Sequence, residues 1–417
     1  MRLTGVLCVR ENTHYRQFKT MWKSYKFKEQ RLKLPLPLQE KNVEIIRGKD
    51  FLRGLDTKQV VVAAEPDPVP TPSLKKHPNY HEKPALTYTN EIQFIEGKKQ
   101  ACLLTKSREM EGVPAGILRL MDTLELPDVN STIQKYIMNS QVWDPTNVKL
   151  TKRIDKEKIG YKFREFGIPR ERAMLNLMTD LVRLFVSMMN LYPSARENRR
   201  LLTRPFLGSH YRYKGDLINI RARSEFLISS REFLPCFADT DAVKESVDYT
   251  IPDMHPVNPT IDLRMENLYS EQNIPAFRVP FEFDKPQTLF HLNKDLSKLV
   301  HRQNRALMFL LGYAMAAARR KYGDDVTDLP EPICVQCVNM NEATLNFTFF
   351  QLNTMDFSSD SGVKNFVWFD SGNHLFAKHL TKPWLKDPEF KINRYDSYSE
   401  EPLKKLLAVV MYGLSNL

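Results

Sequence analysis

The chain has 417 residues, a mass of 48.7 kDa, 42% hydrophobic residues and a net charge of +11 from 61 Lys/Arg and 50 Asp/Glu. That length and apolar share argue for a folded body of roughly two to three domains and against a disordered chain. Five cysteines are too few for a disulfide framework and fit a reducing compartment. The longest near-apolar run, the thirteen residues Ala306–Ala318, falls short of the about 18 needed to span a bilayer.

The charge is front-loaded. Between Met1 and Lys33, nine Lys/Arg face two acids, which is +7 of the total and leaves +4 for everything after. Arg2, Arg10 and Arg16 among Leu3, Val6, Leu7 and Val9 have the composition of a mitochondrial transit peptide, and we place it at residues 1–20. Lys23, Lys26, Lys28, Arg31 and Lys33 follow, interleaved with Trp22, Tyr25 and Phe27, a mixture of cations and rings suited to RNA. From 34 to about 94 the chain is rich in proline, with one at every second position from Pro66 to Pro72, so residues 21–94 read as an extended basic and then proline-rich arm. His77 and His81 lie on this loop-like stretch rather than on a helix face, which argues against a metal pair.

A globular body is expected over residues 95–417, and it could divide into two lobes near 250–290. Gln100–Thr105 (QACLLT) reads as a strand and Asn130–Trp143 as a helix. Met174, Met178, Leu181, Phe185 and Met188 mark one stripe of a helix from about Arg170 to Leu191, with Asn176, Asp180, Arg183, Ser187 and Asn190 across from it. Tyr211–Tyr213 and Leu217–Arg223 predict a hairpin around Lys214, Gly215 and Asp216. It carries Arg212, Lys214, Arg221 and Arg223 beside Tyr211 and Tyr213, a combination suited to phosphate contact and base stacking.

The stretch from Ser297 to Tyr322 predicts a buried helix, capped by Ser297 and Gly323, with Arg319, Arg320 and Lys321 in its last turn. There they offset the helix dipole or contact RNA. Ile333–Val338 and Thr344–Leu352 predict a second hairpin through Asn339–Ala343, Asn365–Asp370 another strand, and Pro402–Leu414 a closing helix. The mixed order favours an α+β fold, a mixed sheet with packed helices, over a doubly wound sheet. Cys334 and Cys337 form a C-x-x-C, but strand periodicity sends positions three apart to opposite faces, so they read as structural thiols rather than half a zinc site. No G-x-G-x-x-G, Walker-type, G-x-S-x-G or H-E-x-x-H motif occurs.

Residues 95–114 (IEGKKQACLLTKSREMEGVP), 256–269 (PVNPTIDLRMENLY), 305–336 and above all 349–376 (FFQLNTMDFSSDSGVKNFVWFDSGNHLF) resemble the metazoan mitochondrial large-subunit ribosomal proteins numbered thirty-seven. The resemblance runs from about residue 77 to the end. It implies a non-catalytic structural constituent of the mitochondrial large ribosomal subunit, in the matrix, without cofactor or small-molecule substrate. Its implied partners are large-subunit ribosomal RNA and neighbouring proteins, a paralogous family member among them. The rival from another class is a matrix enzyme with an unrecognised convergent site, which perturbed carboxylates or histidines gathered in a pocket would favour.

Overall fold

The computed structural model describes residues 85–125, 129–140, 153–154, 162–163, 168–267, 273–277, 281–295, 298–378 and 395–414. The chain divides into two units, 1–72 and 73–417, and every described residue lies in the second. The segment expected to be a transit peptide, residues 1–20, and Lys23, Lys26, Lys28, Arg31, Lys33, His77 and His81 therefore lie outside the described residues.

In chain order the elements are β1 (Ala85–Tyr88), α1 (Lys98–Leu104), β2 (Ser107–Met110), α2 (Ala115–Thr123), α3 (Asn130–Ser140), β3 (Arg153–Ile154), β4 (Lys162–Phe163), α4 (Arg170–Met189), α5 (Pro193–Asn198), β5 (Arg199–Thr203), β6 (Phe206–Tyr213), β7 (Asp216–Arg223) and β8 (Phe226–Ser230). There follow α6 (Thr240–Glu245), β9 (Arg264–Glu266), β10 (Ile274–Pro275), β11 (Lys285–Leu292), α7 (Leu299–Tyr322), β12 (Asp328–Asn341), β13 (Thr344–Thr354), β14 (Asn365–His374), β15 (Ala377–Lys378), β16 (Tyr395–Asp396) and α8 (Glu401–Met411). The fold is α+β. Among the described residues, a seven-stranded mixed sheet runs β2-β14-β13-β12-β11-β8-β5 and a five-stranded sheet runs β10-β6-β7-β1-β9.

Helix α7 joins the two sheets. Its residues from Asn304 to Ala318 are all buried, and their cluster holds Leu207, Ile218 and Ile220 of the small sheet together with Val335, Phe350 and Val367 of the large one. A helix apolar all round needs cover on all sides, and here a sheet lies on each. Gly312 lets the small sheet close on the helix, since a Cβ there would stand 2.7 Å from Leu207 Cδ2. The other face of the large sheet is covered by α2, α3, α4 and α8 through a second cluster containing Met174, Phe185, Phe347, Phe349 and Leu406. Cys334 belongs to that cluster and Cys337 to the α7 cluster, so the two thiols face opposite sides of β12 and cannot share a ligand.

Four expectations need correction. Gln100–Thr105 lies not in a strand but in and just after α1, because Gln100, Ala101, Leu103 and Leu104 are all buried and a short apolar run carries no period to tell the two apart. The body begins before residue 95: β1 pairs in parallel with β7, Leu86 opposite Ile218, and Tyr88 and Phe94 are fully buried. Among the described residues no pair of lobes separates near 250–290, since β9 and β10 join the small sheet with β6 and β7 while β11 joins the large one with β5 and β8. Finally, α7 is preceded by Lys298, not Ser297, at its N-cap, whereas Gly323 ends it at φ 95° as read.

Candidate nucleic-acid interface

The β6–β7 hairpin forms as its sequence dictates, Tyr213 opposite Asp216, with Lys214 and Gly215 both at positive φ in a two-residue turn. Strand alternation then sorts its side chains. Tyr211 and Tyr213 are buried beneath the sheet, where the Tyr211 ring lies 4.7 Å from that of Phe357 and its hydroxyl donates to the Leu104 carbonyl at 3.1 Å. They are therefore not available to stack on bases, contrary to the sequence reading. Arg212, Lys214, Arg221 and Arg223 are exposed. Lys214 Nζ meets Asp360 at 2.6 Å, Arg221 meets Glu266 at 3.3 Å, and the Arg223 guanidinium stands 5.9 Å from the Phe206 ring centre.

The three cations that end α7 serve the fold itself. Arg319 donates to the His210 carbonyl and, at 2.9 Å, to Asn273 Oδ1. Arg320 donates to the Phe277 carbonyl, which ties the helix end to the loop after β10. Lys321 pairs with Glu331 at 2.6 Å and lies over the Tyr322 and Phe233 rings.

Beside the hairpin lies a groove of about 890 Å³ between the first turns of α4 and the β5–β6 and β7–β8 corners. Four cations line it, Arg172, Arg204, Arg223 and Lys294, with Glu171 and Glu225. Its floor is apolar and includes Phe206, Phe226, Leu292 and Leu175, the last 37% exposed on a helix whose other large apolar residues are mostly buried. Burial alone would raise the Glu225 carboxyl. His291 Nδ1 at 3.5 Å, the Leu292 N–H at 2.8 Å and Lys294 at 3.3 Å more than offset it and hold the group below the usual carboxylate range. Glu225 thus stays ionised near neutral pH and has no proton to give as a general acid. Among the described residues no group of three or more His, Cys, Asp or Glu could hold a metal ion, and no helix is long and apolar enough to cross a membrane.

Arg172, Arg204 and Lys294 were not singled out from the sequence. One signal was present: Arg170 and Arg172 fall in the first turn of a helix, where the helix dipole disfavours cations. Arg170 is neutralised by Glu342 at 2.7 Å, whereas Arg172 has no such pair among the described residues.

No family model matches the chain. Comparison over about four fifths of the chain nevertheless finds it similar to large-subunit ribosomal proteins. A chicken protein (Gallus gallus) is 29% identical over 358 residues, covering 84% of this chain and 79% of its own length. A rat protein (Rattus norvegicus) is 28% identical over 82% of this chain and 78% of its own length, and a bovine one (Bos taurus) 26% identical over the same shares. Each bears the name large ribosomal subunit protein mL37. The family read from residues 95–114, 256–269, 305–336 and 349–376 is the one these relatives carry.

Proposed function

We propose that the chain is a structural, non-catalytic constituent of the mitochondrial large ribosomal subunit and supports translation in the matrix. The observation that carries this reading is the run of relatives named large ribosomal subunit protein mL37, aligned over about four fifths of both chains. Its partners on this reading are large-subunit ribosomal RNA and neighbouring proteins, the paralogous family member among them. The exposed cations of the β6–β7 hairpin, Arg212, Lys214, Arg221 and Arg223, support the RNA side. Lys23, Lys26, Lys28, Arg31 and Lys33 would add a second set from the arm. Ile95, Ile261 and Met265, 63%, 58% and 74% exposed on neighbouring segments, support apolar contact with a protein.

Sedimentation of mitochondrial extract tests the proposal. A tagged copy travels with the large subunit and its RNA, and it leaves that fraction when the RNA is digested. A copy found only at the top of the gradient refutes it.

A further inference from the structure

Two residues facing the groove sit where the backbone disfavours them. Arg204, in the turn between β5 and β6, is held at φ 52°, a left-handed conformation that costs a non-glycine residue about 1 kcal/mol. The turn is fixed from both sides, by the Arg204 N–H donating to the Glu225 carbonyl at 2.8 Å and the Ser224 N–H to the Pro205 carbonyl at 3.3 Å. Arg172 stands in the positive first turn of α4, unpaired among the described residues. Neither placement helps the fold. Both put an uncommitted guanidinium on the rim of one groove, and local sequence choices that oppose the fold concentrate at binding sites.

The rim and the floor ask for different things. Arg172 and Arg204 suit the oxygens of an anion, which a guanidinium binds in bidentate fashion. The half-buried Phe206 ring, with Arg223 beside it and the exposed Leu175 across from it, suits a flat apolar face. A nucleotide carries both in one unit, whereas an acidic peptide would use the rim and leave the floor bare. The volume of about 890 Å³ is at the upper end for a small-molecule pocket and suits a short run of nucleotides.

We infer that this groove binds an unpaired stretch of RNA, with its phosphates on Arg172 and Arg204 and a base against Phe206. The inference rests on the ribosomal reading and names a contact site within it. Because the floor admits the face of any base, recognition there is by shape and charge rather than by sequence.

The test uses the purified full-length chain and a fluorescein-labelled 12-nucleotide oligouridine, followed by anisotropy between 50 and 200 mM KCl. Joint Arg172→Gln and Arg204→Gln replacement weakens binding by about tenfold or more and lowers the slope of log affinity against log salt by roughly 1.4, the value for two phosphates of a single strand. Phe206→Ala weakens binding about fivefold or more and leaves the slope alone. Lys244→Gln, on exposed α6 and paired with Asp241, changes neither. Urea midpoints of all variants separate lost binding from lost folding.

Unchanged affinity and slope in a folded Arg172/Arg204 double variant overturns the inference. So does a 12-residue polyglutamate that competes as strongly as the oligonucleotide with no effect of Phe206→Ala, which would make the groove a peptide site. In isolated large subunits, 4-thiouridine in the ribosomal RNA should crosslink to residues 171–176 or 203–206. If the tagged wild-type chain stays with the subunit while its crosslinks all fall elsewhere, the groove assignment fails and the ribosomal reading stands. A wild-type chain that never joins the subunit defeats the ribosomal reading itself.

Discussion

Replacing Asn365 with alanine removes the side chain that closes the junction of α1, β2, β13 and β14. Asn365 is fully buried at the start of β14. Its Oδ1 accepts from the Asn353 and Thr354 N–H groups at 2.8 and 3.0 Å, and its Nδ2 donates to the Thr105 carbonyl at 3.0 Å. Alanine leaves the two backbone donors without that acceptor in a dry interior, while the Thr105 carbonyl keeps the Ser107 hydroxyl at 3.2 Å. Each such orphan costs about 1–3 kcal/mol, so the middle of the range for the two is about 4 kcal/mol. The assay is urea unfolding of the full-length chain followed by tryptophan fluorescence, for which Trp368 on the same strand is a buried reporter. With a slope of about 3 kcal/mol per molar, the midpoint falls by a little over 1 M. Ser359→Ala, which removes only an exposed hydroxyl contact to Ser361 at 2.9 Å, should move it by less than about 0.2 M. A shift below about 0.3 M for Asn365→Ala would refute the reasoning, since it would mean that water satisfies the junction without the side chain.

Further outcomes follow from other contacts. Arg199 is buried and donates to the Val410 and Tyr412 carbonyls at the end of α8. Burial pushes its pKa down only to about 10, so it remains charged, and Arg199→Met should cost about 3 kcal/mol and speed hydrogen exchange selectively in α8. Gly312→Val should cost about 3 kcal/mol by urea unfolding despite removing a helix glycine, because Leu207 and Ile220 already fill the space. Cys236 is exposed, and a hydrogen bond from the Cys334 thiol lowers its pKa from 9.0 to about 7, outweighing partial burial. Alkylation by iodoacetamide should therefore rise with pH through a midpoint near 7, and Cys334→Ala should return that midpoint toward 9.0; a midpoint unmoved by the substitution would contradict the assignment.

The long periodic elements were legible because their patterns survive without context. The stripe of α4, the apolar girth of α7 and the Lys214–Gly215 turn each follow from neighbours a few residues apart. What was not legible depends on distant partners. The four residues of β1 become a strand only because β7 and β9, some 130 and 180 residues later, offer them edges. The alternation of Leu345, Phe347 and Phe349 with Asn346 and Thr348 suggests a strand wetted on one face, yet Asn346 and Thr348 are buried too, because α7 covers that side. At the candidate site, the period-two argument that separated Cys334 from Cys337 also separates the hairpin's tyrosines from its arginines, so the loss of Tyr211 and Tyr213 as stacking groups was available from sequence. The groove was not, since Arg172 and Arg204 lie on elements that only packing brings together.

The position of α7 between the sheets also bears on the order in which this chain can assemble. All seven of the strands β5–β11 precede α7, and all five strands of the small sheet come before it, but the apolar faces of Leu207, Ile218 and Leu289 have no cover until residues 304–318 are present. A chain emerging amino end first, from a ribosome or through a membrane pore, would hold nearly three hundred residues that cannot close either core. A product truncated before Leu299 would be left with bare sheet on both sides and should be recognised as unfolded. Assembly of this protein is thus set by the arrival of its last third, and helpers that shield apolar strands would have their longest task in the interval before it.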